Sequence, residues 1–232
     1  LEAGGVTAGV VDDLSLDRMR ALVGVLGDPQ TAYPVIHLTG TNGKGSTARM
    51  LEAILRGHGL SVGLYTSPHL ETLNERIGWD GRPIPDEDLA GVLDELSTIE
   101  PLVEGEPTWF ELVTAAAFAW FAQQAVDVAV VEVGLLGRYD ATNVADGLVA
   151  VVTNVGRDHT DGGDGWRAAI AGEKAGIVKP GSTLVLGETD RELQAVFEAE
   201  GPERTWCRSS SASSSGSTPN CVLPSPSGTR TL

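Results

Sequence analysis

Val35-Ile36-His37-Leu38-Thr39-Gly40-Thr41-Asn42-Gly43-Lys44-Gly45-Ser46-Thr47 is the stretch that decides the fold. Val35 to Thr39 reads as a short buried strand. From about Ser46 to Arg56 the apolar residues Met50, Leu51, Ile54 and Leu55 recur at helical spacing, and Gly57 and Gly59 close that helix. The loop between them misses the strict Gly-x4-Gly-Lys-Ser pattern, because position 38 is Leu and Gly45 separates Lys44 from Ser46. The physics is unchanged. Glycines let the backbone turn tightly and bring N–H groups onto phosphate oxygens, and the helix N-terminus adds a favourable dipole. Lys44 would reach the β- and γ-phosphates of ATP, and Ser46 or Thr47 would face a metal ion. The bland reading is a glycine-rich turn with a solvated lysine; the position between an apolar strand and a helix favours phosphate binding.

Working outward, Ser61 to Tyr65 reads as the next strand, which completes a β-α-β unit and predicts a parallel sheet. On the other side, Ser15 to Leu26 reads as a helix with Ser15 as its cap, ended by Asp28-Pro29. Further helices are expected at Asp86–Leu96, Thr108–Gln124, Trp166–Ala175 and Asp190–Glu200. Further strands are expected at Val128–Val133, Leu148–Thr153 and Ser182–Leu186. Apolar strands alternating with helices imply a doubly wound, mostly parallel α/β domain.

That pattern stops at Arg204. No Asp or Glu follows, and Ser209 to Ser217 is almost all serine. A disordered tail fits this composition. So does a shifted reading frame in a GC-rich gene, and the genomic DNA around the codon for Thr205 separates the two. The expected organisation is a helical lead-in over 1–34, an incomplete nucleotide-binding domain over 35–203 and a tail over 204–232. The net charge of -16 argues against nucleic acid or an anionic membrane as the main partner, since both require clustered Lys and Arg. The two cysteines, Cys207 and Cys221, form no Cys-x-x-Cys pair. With no signal peptide and no apolar run long enough to span a bilayer, a cytoplasmic location is expected.

Several residues stand out against this frame. Glu132 ends an otherwise apolar strand, where a carboxylate is costly unless paired or bound to a cation. Strand C-termini line the ligand crevice of an open α/β sheet, so a Mg²⁺ ligand is one reading and a structural salt bridge the other. His159 follows another apolar strand and should approach the same crevice, or else lie on a surface loop. His69 lies beside a Ser-Pro turn that already explains the local polarity. His37 reads as a satisfied core residue and His58 as structural. Trp109, Phe118 and Trp120 read as core. Lys44, Lys174 and Lys179 are the lysines among 16 basic side chains, which suggests positions where Arg cannot substitute, although codon bias would leave a similar residue set.

Six blocks of this sequence, in order, resemble folylpolyglutamate synthase/dihydrofolate synthase, a branch of the Mur-type amide ligases. They are Thr39–Thr47, Tyr65–Leu70 with Asn74–Ile77, Pro107–Glu111, Val131–Asn143, Thr153–His159 and Glu173–Ile177. The resemblance covers roughly 30 to 200 and implies the P-loop central domain of a Mur ligase. It further implies an ATP-dependent ligase that joins glutamate to a folate or pteroate carboxylate through an acyl phosphate. Gly40, Thr41, Asn42, Gly43, Lys44, Gly45, Ser46 and Thr47 would bind ATP. Ser67, Glu132 and His159 would ligate Mg²⁺. Lys174 would match the family's carbamylated lysine, which supports a second ion. Lys44, His159 and Lys174 are the catalytic candidates. Thr108, Trp109, Phe110, Glu111, Tyr139, Asp140 and Ala141 would line the pterin pocket. A monomer is expected, with folate or pteroate and glutamate as small-molecule partners.

Two departures qualify this. The family's Gly-Leu-Gly-Gly-Arg is Gly134-Leu135-Leu136-Gly137-Arg138 here, so Leu136 adds a side chain beside the expected pocket. Family members are also roughly twice as long, with a C-terminal α/β domain that this sequence lacks, so a truncated and inactive member is expected. A Mur-type ligase for a peptidoglycan precursor and a nucleotide-binding module without catalysis are the alternatives.

Overall fold

The computed structural model describes residues 15–157 and 163–207. The nucleating unit is β1 (Val35–Thr39), α2 (Lys44–Gly57) and β2 (Val62–Tyr65), preceded by α1 (Asp17–Val25). A hairpin follows, β3 (Ile77–Trp79) and β4 (Arg82–Pro83), then α3 (Asp86–Ile99), α4 (Trp109–Gln123) and β5 (Val128–Glu132). The chain continues through β6 (Gly147–Val152), α5 (Trp166–Ala175), β7 (Thr183–Leu186), α6 (Arg191–Glu198) and β8 (Arg204–Cys207).

These strands form one eight-stranded sheet in the order β4-β3-β2-β5-β1-β6-β7-β8. The six strands from β2 to β8 in that order pair in parallel, while β3 and β4 add an antiparallel edge. Alternation along the strands sends side chains to two faces. Leu38, Val62, Leu64, Val128, Val130 and Val151 pack with Ala48 of α2 on one face. Val35, Tyr65, Ala129 and Val131 pack with α1, α3 and α4 on the other. A third cluster joins Ala150, Val152, Leu184 and Leu186 to Ile170, Ala171 and Ala175 of α5 and to Leu193 and Phe197 of α6. Helices on both faces of a mostly parallel sheet are the doubly wound architecture that the sequence implies.

Helix boundaries follow local chemistry. Thr108 caps α4: its hydroxyl accepts from Glu111 N–H at 3.3 Å, and Glu111 returns a carboxylate to Thr108 N–H at 2.7 Å. α4 is buried nearly all round, including Phe118 and Trp120. The Ser15 hydroxyl accepts from Asp17 N–H at 2.9 Å, although Leu16 holds the cap position of α1.

Four expectations are corrected. α2 begins at Lys44 rather than Ser46, so the loop lysine sits in the first helical turn. The β3–β4 hairpin was not expected; its Asp80-Gly81 turn has positive φ at both residues, 49° and 81°, the geometry this pair favours. Trp109 is not core, being 51% exposed. The sheet also continues past the boundary placed at 203, because Arg204–Cys207 pairs in register with Thr183–Leu186. No helix among the described residues is long and apolar enough to cross a membrane.

Candidate active site

Register places the candidate residues along one edge of the sheet. Leu38 of β1 lies opposite Glu132 of β5 and Val151 of β6, and Tyr65 of β2 lies opposite Val131. The segments leaving these four strands are therefore neighbours: the loop 40–43, Thr66-Ser67, Val133-Gly134 and Thr153–Gly156. This is the carboxyl end of the parallel strands, where ligands bind in such sheets.

The glycine loop is fastened to the segment after β6. The Asn154 side-chain oxygen accepts from Thr41 N–H at 3.2 Å and Asn42 N–H at 3.1 Å. The Asn42 carbonyl accepts from the Thr153 hydroxyl at 2.7 Å and the Asn154 amide at 3.1 Å. Thr41 Oγ1 accepts from Gly156 N–H at 2.9 Å. Gly40 makes the close approach possible, because a Cβ there would lie 1.9 Å from Thr153 Oγ1. Gly43 caps α2 with φ 81°. Lys44 Nζ donates to the Gly40 carbonyl at 3.1 Å, so its ammonium lies folded over the loop. Gly45 and Thr47 are half-buried, and Asn42, Gly43 and Ser46 are exposed.

Glu132 is 4% exposed and points at the start of α2. Its Oε2 accepts from Ser67 N–H at 3.2 Å and would lie 3.3 Å from a Cβ on Gly45. Burial pushes its carboxyl above the usual range, against the Ser67 amide and the Lys44 and Arg49 charges. A desolvated carboxylate at a phosphate loop, with room kept by a glycine, suits a hard divalent cation. Among the described residues no three His, Cys, Asp or Glu side chains form a metal cage. Mg²⁺ takes one or two protein ligands together with phosphate oxygens and water. Glu132 and Ser67 would hold such an ion. His159 lies outside the described residues.

The loop carrying Ser67 is held by Glu75, which accepts from the N–H groups of Leu70, Glu71 and Thr72. Those bonds pull its carboxyl down to about 2. Arg76 Nε donates to His69 Nδ1 at 2.8 Å, and its guanidinium lies 4.8 Å from the centre of the Trp109 ring.

A cavity of about 250 Å³ opens between α1, the start of α4, the 135–141 segment and the end of α5. Thr108, Phe110, Glu111, Tyr139, Asp140 and Ala141 line it; Trp109 does not. Leu136 lines it as well, as its place beside the expected pocket implies, while Ser15, Leu16, Arg18, Leu135 and Glu173 are walls that were not singled out for it. Leu136 keeps a left-handed backbone, φ 56°, and buries its side chain in the cluster over α5. Its carbonyl accepts from the Thr39 hydroxyl at 2.5 Å, which links the cavity wall to the residue before Gly40. Asp140 is buried and takes the Thr142 N–H at 3.0 Å, the Thr142 hydroxyl and the Leu135 N–H at 2.8 Å. Thr142 Oγ1 lies 2.9 Å from Nε2 of buried His37, whose Nδ1 has no partner among the described residues. His37 is thus half-satisfied. Lys174, on α5, is 1% exposed.

The Mur ligase middle domain family matches residues 38–215. This chain belongs to that family, on its folylpolyglutamate synthase/dihydrofolate synthase branch. Dihydrofolate synthase/folylpolyglutamate synthase of Bacillus subtilis is 41% identical over 190 residues, 80% of this chain and 44% of that protein. Folylpolyglutamate synthase of Mycobacterium tuberculosis, solved with ADP and AMPPCP, superposes with a TM-score of 0.77 at 42% identity, over 82% of this chain and 47% of that one. An FPGS–AMPPCP–folate complex superposes with a TM-score of 0.76 at 38% identity, over 84% and 50%. The chain spans about half the length of these Mur-type relatives or less.

Proposed function

We propose that this Mur-type chain carries the ATP- and folate-binding part of a ligase that adds L-glutamate to tetrahydrofolate, and to dihydropteroate as a second acceptor. The observation that carries this reading is adjacency. Thr39 ends the strand that launches the phosphate loop and also bonds the Leu136 carbonyl in the cavity wall. A substrate ring in that cavity can therefore direct a carboxylate toward phosphates on the loop. The relatives support the reading, since solved ones are complexes with ADP, AMPPCP and folate.

In this scheme a substrate carboxylate oxygen attacks the γ-phosphorus of ATP. A P–O bond forms, the bond to the β-phosphate oxygen breaks, and ADP leaves. The glutamate amine then attacks the acyl carbon, the C–O bond to phosphate breaks, and phosphate leaves as the amine loses a proton. Such transfer depends mainly on positioning and charge neutralisation. Gly40 to Thr47 would orient the phosphates through backbone N–H groups. Lys44 would move from the Gly40 carbonyl to a phosphate oxygen. Glu132, Ser67 and His159 would hold Mg²⁺, which supplies charge neutralisation on the transferring phosphoryl group. Lys174, carbamylated, would support a second ion. Thr108, Phe110, Glu111, Tyr139, Asp140 and Ala141 would enclose the pterin, with Trp109 at the rim. The net charge of -16 fits a cytoplasmic monomer with neither nucleic acid nor membrane as partner.

Calorimetry of the 232-residue chain with Mg-AMPPCP, pteroate and a UDP-linked peptidoglycan precursor tests this. Binding of Mg-AMPPCP and pteroate supports it; binding of the UDP-linked precursor with none of pteroate refutes it. We further propose that the chain alone releases ADP far more slowly than a full-length relative, and a comparable rate would overturn that part.

A further inference from the structure

The segment after β6 holds the glycine loop, and it must itself be held. Residues 153–156 belong to no helix or strand. Yet Asn154 Oδ1 accepts from the Thr41 and Asn42 N–H groups, and Gly156 N–H donates to Thr41 Oγ1. Between those two anchors, the Val155 carbonyl accepts from Arg167 Nε at 3.2 Å.

Arg167 lies in the first turn of α5, where the helix dipole disfavours a cation. Three acceptors offset this, one for each guanidinium nitrogen. Besides Nε on Val155, Nη1 donates to Asp190 Oδ2 at 3.1 Å and Nη2 to Glu188 Oε2 at 3.0 Å. Both carboxylates are fixed in their turn. Glu188 is buried, and its Oε1 accepts from the Thr189 and Asp190 N–H groups. Asp190 caps α6 by accepting from the Glu192 N–H at 3.0 Å. Gly187 lets this segment lie against the one after β6, because a Cβ there would sit 2.2 Å from the Thr153 carbonyl oxygen. The planar guanidinium thus spans two anchored carboxylates and one loop carbonyl, a task that suits a rigid fork and not a point-like ammonium.

We infer that Arg167 is a positioning residue for the nucleotide loop: held by Glu188 and Asp190, it fixes the Val155 carbonyl and so sets where Asn154 and Gly156 hold Thr41 and Asn42. This rests on reading the glycine loop as the phosphate site, and the test separates the two. Arg167→Met alone would strand the buried Glu188 charge, so the variant is Arg167→Met combined with Glu188→Gln. Glu200→Gln is the control, since it weakens an ion pair with Arg138 that touches no residue of the loop. Hydrogen exchange of the Thr41 and Asn42 amides and Mg-AMPPCP affinity are measured on both variants and on the 232-residue wild type. In the double variant both amides should exchange faster than in wild type, and affinity should fall about 3- to 10-fold, the worth of one hydrogen bond. Glu200→Gln should match wild type in both. A clamp that only staples α5 to α6 would lower the thermal transition alone. Wild-type exchange or wild-type affinity in the double variant, or equal losses in Glu200→Gln, therefore overturns the inference. A wild-type chain that binds no Mg-AMPPCP removes the phosphate reading, and the exchange rates alone then decide whether Arg167 holds the loop.

Discussion

Replacing Gly40 by Ala should damage the nucleotide loop far more than replacing Gly43, although both glycines have positive φ. Gly40 has φ 145°, and a Cβ there would lie 1.9 Å from Thr153 Oγ1, 3.1 Å from Thr153 Cβ and 3.2 Å from the Asn154 backbone nitrogen. Backbone cannot step aside as a flexible side chain can, so the Thr153–Asn42 bond at 2.7 Å is broken or the loop shifts. Losing that bond costs about 1 kcal/mol. Holding Ala at this φ costs about 1–3 kcal/mol more. A total of roughly 2–4 kcal/mol leaves a domain of ordinary stability folded. It also moves the N–H groups that would face phosphate, so Mg-AMPPCP affinity should fall at least about tenfold. Gly43 has φ 81° and no atom within 4 Å of the added Cβ, so Gly43→Ala should cost only about 1 kcal/mol. Adding Thr153→Ala to Gly40→Ala removes the nearest clashing atom and should recover part of the stability, a coupling that independent sites would not show. Urea unfolding and calorimetry read both quantities. Equal destabilisation by the two glycine variants, or wild-type nucleotide affinity in Gly40→Ala, would refute the reasoning.

The remaining expectations concern single groups. Burial lowers the His37 imidazole from 6.5 to about 3, so the folded state resists a proton that the unfolded chain accepts. The stability this carries is complete above pH 6.5 and declines as pH falls, by about 1.4 kcal/mol per unit; the drop between about pH 6.5 and 4.5 should be shallower in His37→Gln, as acid-dependent urea midpoints would show. Glu132→Gln removes a desolvated charge, so it should leave stability unchanged or raise it while weakening Mg-AMPPCP binding about tenfold or more. A loss of stability with normal binding would make Glu132 structural. Leu136→Gly relieves about 1–2 kcal/mol of left-handed strain but empties a buried site worth about 2–5 kcal/mol, so its urea midpoint should fall. A rise would mean that strain dominates at this position.

The main architecture was legible because strand and helix periods are strong between Val35 and Leu186. The strand, glycine loop and helix at 35–57 fixed the parallel unit, and the apolar run Val128–Glu132 placed a carboxylate at the right edge. Short elements escaped. β3 and β4 have three and two residues, too few for alternation to register, and only Asp80-Gly81 marked the turn. β8 was hidden by the compositional shift that begins at Arg204, since its four residues draw their stability from pairing with β7 rather than from their own pattern. The cavity was half legible. Thr108 to Glu111 and Tyr139 to Ala141 lie in recognisable blocks, whereas Ser15, Leu16 and Arg18 reach it from a segment far away in sequence that no block covers. Trp109 reads as core with Phe118 and Trp120, yet it is the first residue of α4 and is 51% exposed, with the Arg76 guanidinium over its ring.

The most direct test of the account is a crystal structure of the 232-residue chain with Mg-AMPPCP and pteroate. The account predicts triphosphate density over Gly40 to Thr47, a cation between that density and Glu132, and the pteridine ring between Phe110 and Tyr139. A ring bound outside this cavity, or phosphates away from the loop, would contradict it.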